Sequence, residues 1–177
     1  MRIISGARKG LIVNVSQGLP VRPTTDRAKE SIFNILETQY DLNYLQVLDL
    51  FSGTGSMAFE FASRGAAKVR CIDADSKCVK HLKEVQQKHA FENVEVVRSD
   101  VFKYLKHMDI GYDIIFADPP YSLPNIETIA ELVFQNNFLN KNGVLIVEHH
   151  SKTMLPKNEK YTDERVYGQS AFTFYKN

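Results

Sequence analysis

Five short apolar runs recur along this chain with helix-length spacers between them: LQVLDLF (45–51), AKVRCIDAD (67–75), VEVVRSD (94–100), YDIIFAD (112–118) and GVLIVEHH (143–150). Val, Ile and Leu fill them almost continuously, as strands covered on both faces require. The spacers carry helical patterns at 56–64, 76–90, 101–108 and 126–137. Few architectures besides a parallel sheet sandwiched by helices accommodate that alternation. The chain end departs from it. DERVYGQSAFTFYKN reads as two strands around Gly168-Gln169, an antiparallel hairpin at a sheet edge. The expected fold is α/β: a doubly wound, mostly parallel sheet with an antiparallel C-terminal strand. Ligands of such sheets lie beyond the carboxyl ends of the strands, at the switch point.

The first 42 residues obey different rules. RIIS and LIVNV flank GARKG and read as a β-hairpin. GLPVRP is a proline-punctuated loop, and Thr24-Thr25-Asp26 starts a helix carrying Ile32, Phe33, Ile35 and Leu36 at helical spacing. The expected division is a basic hairpin-and-helix extension over 1–42 and the sheet core over 43–177. Charge follows the same division. The net charge is only +1, yet residues 1–30 hold Arg2, Arg8, Lys9, Arg22, Arg27 and Lys29 against Asp26 and Glu30. A basic end on a near-neutral body fits an anionic partner there.

The chain of 177 residues is long enough for one domain with a real core. No apolar run approaches the roughly 20 residues a membrane helix needs. MRIISGARKG lacks the apolar centre of a signal peptide, so a cytoplasmic location is expected. Cys71 and Cys78 do not form a C-x-x-C pair; they read as buried free thiols, and no metal site is expected.

The first strand runs into DLFSGTGS (49–56). Gly53, Gly55 and Ala58 satisfy G-x-G-x-x-A between a strand and a helix, and Asp73 lies 20 residues beyond Gly53 at the end of the second strand. That spacing sets a carboxylate beside a bound ribose. The pattern admits a dinucleotide, so an NAD-dependent oxidoreductase is one reading. Asp49 opposes it: a pyrophosphate needs the helix N-terminus free of negative charge. S-adenosylmethionine has no phosphate and carries an ammonium and a sulfonium, which an acid beside the glycine loop attracts. Asp100 ends the third strand and Asp118 the fourth. Asp100 is a candidate acceptor for an adenine amine, with Val101 beside the ring. Single strand-end acids are often helix N-caps, but four on one rim exceed what capping needs.

The fourth strand ends in FADPPYSLP (116–124), an acid followed by two rigid prolines and a tyrosine. D-P-P-Y together with L-D-x-F-x-G-x-G is similar to the signature of S-adenosylmethionine-dependent amino-methyltransferases, which implies a Rossmann-like class I methyltransferase sheet. R-I-I-S-G near the start and G-L-x-x-R-P-T-T-D-R-x-K-E-S-I-F-N (18–34) extend the likeness over nearly the full chain. The whole resembles the RsmD-type family, whose members methylate the exocyclic N2 of a guanine in bacterial 16S ribosomal RNA. Asp73 stands where that family often has glutamate.

The resemblance implies catalysis by Asp118, Pro119, Pro120 and Tyr121. A guanine amine is conjugated to its ring and poorly nucleophilic. Acceptors on its N–H bonds, the Asp118 carboxylate and the Pro119 carbonyl, localise the lone pair, and the prolines hold that carbonyl in place. Tyr121 offers a stacking face. The cofactor set is Asp49, Phe51, Gly53, Gly55, Asp73, Ala74, Asp100, Val101 and Asp118. Arg2, Arg8, Lys9, Arg22, Arg27 and Lys29 would contact phosphates of 16S rRNA, within a 30S subunit or an assembly intermediate. A monomer is expected. Two further readings accompany this one: an adenine-N6 methyltransferase of DNA or RNA, which shares D-P-P-Y, and a catalytically silent RNA-binding assembly factor. His81 and His89 read as solvated, His149 and His150 as a surface or capping pair, and Phe172, Phe174 and Tyr175 as edge-strand packing.

Overall fold

The computed structural model describes residues 1–15, 18–19, 25–107 and 110–177. Its elements are α1 (Asp26–Glu37), β1 (Gln46–Leu50), α2 (Ser56–Ser63), β2 (Lys68–Asp73), α3 (Ser76–Lys88), β3 (Val94–Arg98), α4 (Val101–Tyr104), β4 (Tyr112–Ala117), α5 (Glu127–Gln135), β5 (Leu139–His150), β6 (Tyr161–Tyr167) and β7 (Ser170–Lys176). The seven strands lie in the order β3-β2-β1-β4-β5-β7-β6, which places the switch point between β1 and β4. β1 to β5 are parallel, and β7 runs antiparallel to both β5 and β6. This is the α/β class expected of the chain.

Apolar runs become a two-faced sheet because successive side chains alternate sides. Val47, Ile114 and Val144 share one register row, and they pack with Ile32, Phe33, Phe59 and Phe61 from α1 and α2. The next row, Leu48, Ile115 and Leu145, faces the other way onto Ile129 and Val133 of α5. Ile3, Val13 and the apolar stripe of α1 belong to the first of these cores, so the N-terminal residues share their interior with the sheet.

Those residues pair as a short antiparallel ribbon, with one β-bridge between Arg2 and Ile12 and an Ile3 N–H to Leu11 O bond of 2.9 Å. They are fastened to α2 through buried polar groups. The Ile4 and Ser5 amides donate to the Glu60 carboxylate at 2.8 and 2.9 Å, and Ala7 N–H donates to Ser63 O at 2.7 Å. The ribbon's turn passes so near α2 that a Cβ on Gly6, which has φ +80°, would stand 1.9 Å from Ser63 O.

Several expectations are corrected. Lys29 does not face solvent: it is fully buried, donates to Arg2 O at 2.6 Å and lies 3.4 Å from Glu60 Oε2. It occupies the same helical stripe as Ile32, Phe33 and Leu36, so it cannot touch RNA. Burial lowers its pKa first, with Glu60 opposing. His81 is buried on α3 together with Cys78, Leu82 and Val85, and His89 is half-buried at that helix's end. His149 is also buried; its Nε2 lies 2.8 Å from Thr173 Oγ1. Phe172, Phe174 and Tyr175 are core residues of an interior strand, because β6 rather than β7 forms the edge. The fifth strand starts at Leu139, ahead of Asn142 and Gly143, whose turn-like sequence concealed a shift in its register against β4. Both cysteines are buried free thiols.

Candidate functional site

A cavity of about 540 Å³ opens where the carboxyl ends of β1 and β4 diverge. β1 delivers Asp49 onto the α1/α2 face of the sheet, in register with Cys71 and Phe116. A carboxylate there is surrounded by apolar groups: it is 2% exposed, and its Oδ2 has no hydrogen-bond partner among the described residues. Burial pushes the Asp49 carboxyl up to about 7. The Ser52 hydrogen bond opposes that rise, the Asp73 charge adds to it, and the Ala58 amide lowers it. Ionising a carboxyl group buried in this way is costly, and a cationic ligand would compensate the charge.

Beyond Asp49 the chain turns sharply. Phe51 adopts φ +59°, a left-handed conformation rare for a bulky side chain. The loop is then pinned to β2. Ser52 N–H donates to Ile72 O at 3.1 Å, and Gly53 N–H donates to Asp73 Oδ2 at 2.8 Å. Asp73 Oδ1 accepts from Asp75 N–H at 2.8 Å. Burial raises the Asp73 pKa, while the Gly53 and Asp75 amide bonds hold it down. Asp73 thus sets the loop's position and still has acceptor capacity towards the cavity, since a carboxylate has about four lone-pair sites. Ala74 lies beside it on the lining.

Of the expected cofactor residues, Asp49, Phe51, Gly53, Asp73, Ala74, Asp100, Val101 and Asp118 line this one cavity. Gly55 does not. It is the N-cap of α2 at φ +75°, and a Cβ there would meet Phe59 at 2.5 Å and Leu82 at 2.6 Å. Its role is the close packing of α2 against α3. Asp100 combines two roles: its Oδ1 caps α4 by accepting from Lys103 N–H at 2.9 Å, and the residue remains on the cavity lip.

The opposite wall is Asp118-Pro119-Pro120-Tyr121. Asp118 N–H donates to Leu50 O at 3.3 Å, so this segment hangs from the same strand that feeds the glycine loop. Leu123 N–H returns to Pro120 O at 2.8 Å and closes a turn. Tyr121 is exposed, yet its ring is held twice: its hydroxyl lies 2.9 Å from Ser170 Oγ, and its ring meets that of His150 edge-on at 5.3 Å. The C-terminal hairpin and β5 therefore orient the motif tyrosine.

The cavity also contains Ser52, Thr54, Ser56, Met57, Cys78 and Glu148, which the strand-end reading passed over. The Ser52 hydroxyl donates to Asp49 O at 2.7 Å, a bond that holds the loop. Glu148 carries the same signal as the other four acids, a carboxylate near the end of its strand, with two histidines directly after it.

The expected phosphate contacts separate into three groups. Arg2, Lys9 and Arg27 are exposed, although Arg2 lies 3.4 Å from Asp26. Arg8 is held against the protein, donating to Ala90 O at 2.8 Å and standing over the Phe91 ring. Lys29 is buried as described above, and Arg22 lies outside the described residues. No helix among the described residues is long and apolar enough to cross a membrane.

The family model described as "Conserved hypothetical protein 95" matches residues 1–176. The chain is 32% identical to the ribosomal RNA small subunit methyltransferase D of Haemophilus influenzae, over 100% of this chain and 94% of that one. It is 31% identical to the protein of the same description from Escherichia coli K12, over 99% of this chain and 89% of the relative. The solved structure of yhhF from Escherichia coli superposes with a TM-score of 0.87 at 32% identity, covering 99% of this chain and 97% of that chain.

Proposed function

We propose, for a chain that belongs to the RsmD-type methyltransferase family, that it methylates the exocyclic N2 of a guanine in 16S ribosomal RNA with S-adenosylmethionine as methyl donor. The observation that carries the reading is one cavity with a buried carboxyl group, Asp49, whose Oδ2 has no partner among the described residues, on one wall and Asp118-Pro119-Pro120-Tyr121 on the other. The names of the relatives from Haemophilus influenzae and Escherichia coli support ribosomal RNA as the substrate class.

The residues fit S-adenosylmethionine. Asp49 would hold its cationic amino-acid end, Asp73 its ribose hydroxyls, and Asp100 with Val101 its adenine. When bound, the group supplies an electrophilic methyl on sulfur. The chain's own contribution is placement. Asp118 and the Pro119 carbonyl accept the two N–H bonds of the guanine amine and free its lone pair. The prolines fix φ, so that carbonyl needs no reorganisation during reaction. Asp118 or solvent would receive the proton the amine sheds. A paired base cannot reach this wall, so the target is unpaired or flipped. Arg2, Lys9 and Arg27 add phosphate contacts that weaken with salt.

The test is transfer from labelled S-adenosylmethionine to 30S subunits and 16S RNA from cells lacking this protein, with product nucleosides identified by mass spectrometry. N2-methylguanosine is expected. N6-methyladenosine would overturn the substrate, and tight cofactor binding with no transfer to either RNA would leave the binding-only reading.

Two further outcomes follow from the same walls. Tyr121→Ala raises KM for RNA about 5- to 100-fold, the value of one stacked base, while Tyr121→Phe stays near wild type because the ring remains. Steady-state kinetics on 30S subunits check this; equal KM for both variants sinks the stacking role. Asp49 governs the pH dependence of cofactor binding. A carboxyl raised to about 7 holds its proton longer in the folded chain than in the unfolded one, so its contribution to stability falls as pH rises towards that value. A cationic ligand needs the ionised form and displaces the proton. Cofactor Kd therefore improves by up to about tenfold per pH unit from roughly pH 5 to 7, then levels off. Calorimetry in buffers of different ionisation enthalpy measures the released proton. Asp49→Asn abolishes that release, weakens binding and raises the Tm of the free protein.

A further inference from the structure

Glu148 is a buried acid on the cavity wall that the roles above leave unused. It is 3% exposed and lines the same cavity as Asp118. Its position follows from strand register. Ala117 pairs with Val147 as the last pair of the β4–β5 ladder; Asp118 and Glu148 each follow by one residue, and both line the cavity. Phe116 pairs with Ile146, and Glu148, two residues on in β5, falls on the same side of the sheet as that pair. On its other flank Glu148 is paired with Phe172 of β7. Two residues further along β5, again on that side, His150 meets the Tyr121 ring. Glu148 therefore occupies the floor between the residue that takes the amine and the residue that takes the ring face.

We propose that Glu148 is the specificity-determining residue that selects guanine, by accepting the N1–H of the target base. This rests on the guanine-N2 reading above. A guanine whose N2 amine lies on Asp118 and Pro119 presents its N1–H immediately beside that amine. In a dry pocket an unmet donor is costly, and a carboxylate on the same cavity meets it. Adenine carries an acceptor at N1 next to its amine. Against a carboxylate that lone pair is repelled, so the device that accepts guanine rejects adenine at the same atom. D-P-P-Y alone has no such preference, because it addresses only an amine. The choice of base is then made by β5 and not by the motif.

The experiment isolates that one hydrogen. At the target nucleotide located by mass spectrometry, 30S particles are reconstituted with either guanosine or 2-aminopurine riboside. The analogue keeps the reactive amine at C2 but has an acceptor at N1. Wild type is expected to prefer guanine by at least about 100-fold in kcat/KM, since a site built around a substrate N–H rejects the analogue lacking it strongly. Glu148→Gln presents an amide that can donate to the analogue's N1, so the preference drops by about 10-fold or more. Cofactor Kd, measured by calorimetry on the same preparation, stays within about twofold, because Glu148 has no part in that end of the cavity. An unchanged preference in Glu148→Gln overturns the proposal, as does near-equal use of the two bases by wild type. Should Glu148→Gln not fold, Glu148→Ala takes its place: a guanine preference that stays at the wild-type ratio overturns the proposal, and one that falls by about 10-fold or more supports it. A wild type that makes no N2-methylguanosine on unsubstituted particles removes the guanine-N2 reading and this proposal with it. Formation of N2-methylguanosine with an unchanged ratio removes only the role of Glu148.

Discussion

Asp118→Ala is expected to lower kcat for methyl transfer about 10³-fold, the usual loss when a preorganised acceptor at the reacting atom is removed. Binding of S-adenosylmethionine should change little by comparison. The reason lies in how the segment is held. The bond that anchors it runs from the Asp118 backbone N–H to Leu50 O, and alanine retains it. Pro119 and Pro120 keep their φ, and the Tyr121 hydroxyl keeps Ser170. The variant thus loses one acceptor and the local charge without losing the wall. Asp118→Asn keeps a carbonyl oxygen and falls between the two. Single-turnover transfer to 30S subunits, with cofactor binding followed by calorimetry, gives both numbers. An alanine variant within tenfold of wild type would move the chemistry away from this carboxylate.

Lys29→Ala is expected to be the most damaging change to stability, by about 3–5 kcal/mol and a fall in Tm of roughly 10 °C. Lys29 and Glu60 are both fully buried, 3.4 Å apart. Glu60 also accepts from the Ile4 and Ser5 amides and from Arg64 Nε at 2.9 Å. Removing Lys29 leaves that carboxylate with less compensation and deletes the Nζ bonds to Arg2 O and Ser56 Oγ. Ser56 opens α2 beside the glycine loop, so cofactor affinity should fall as well. Arg27→Ala, two residues earlier and exposed, should leave stability within about 0.5 kcal/mol of wild type and change only RNA binding and its salt dependence. Thermal melts of both variants, with Lys29→Met combined with Glu60→Gln, complete the test. The double variant recovers much of the loss if a buried ion pair is responsible. Equal melting temperatures for Lys29→Ala and Arg27→Ala would contradict the assignment.

The comparison of Arg27 with Lys29 marks how far sequence reasoning reaches. Grouping six basic residues as an RNA face used charge alone. Helical spacing already set Lys29 on the stripe of Ile32, Phe33 and Leu36, and it set His81 with Cys78, Leu82 and Val85. Both burials were therefore legible as periodicity. The counter-ion was not: Glu60 stands in another helix, and nothing in the local pattern links the two. Gly55 is a similar case. The pattern assigned it to a cofactor, whereas the space it leaves is filled by Phe59 and by Leu82 of the neighbouring helix.

The five parallel strands, their helices and the C-terminal hairpin were determined by the sequence itself, because hydrophobic period and turn residues act within a few positions of one another. So were the acids Asp49, Asp73, Asp100 and Asp118, each carried to one rim by the strand it ends. Tertiary structure alone decided how those parts meet. It put Asp118 on Leu50, left Asp49 Oδ2 without a hydrogen-bond partner among the described residues, tethered Tyr121 through Ser170 and His150, and brought Glu148 onto the same cavity as Asp118. These are contacts between residues about 30 to 70 positions apart, fixed by strand order and register, and no local periodicity carries that information.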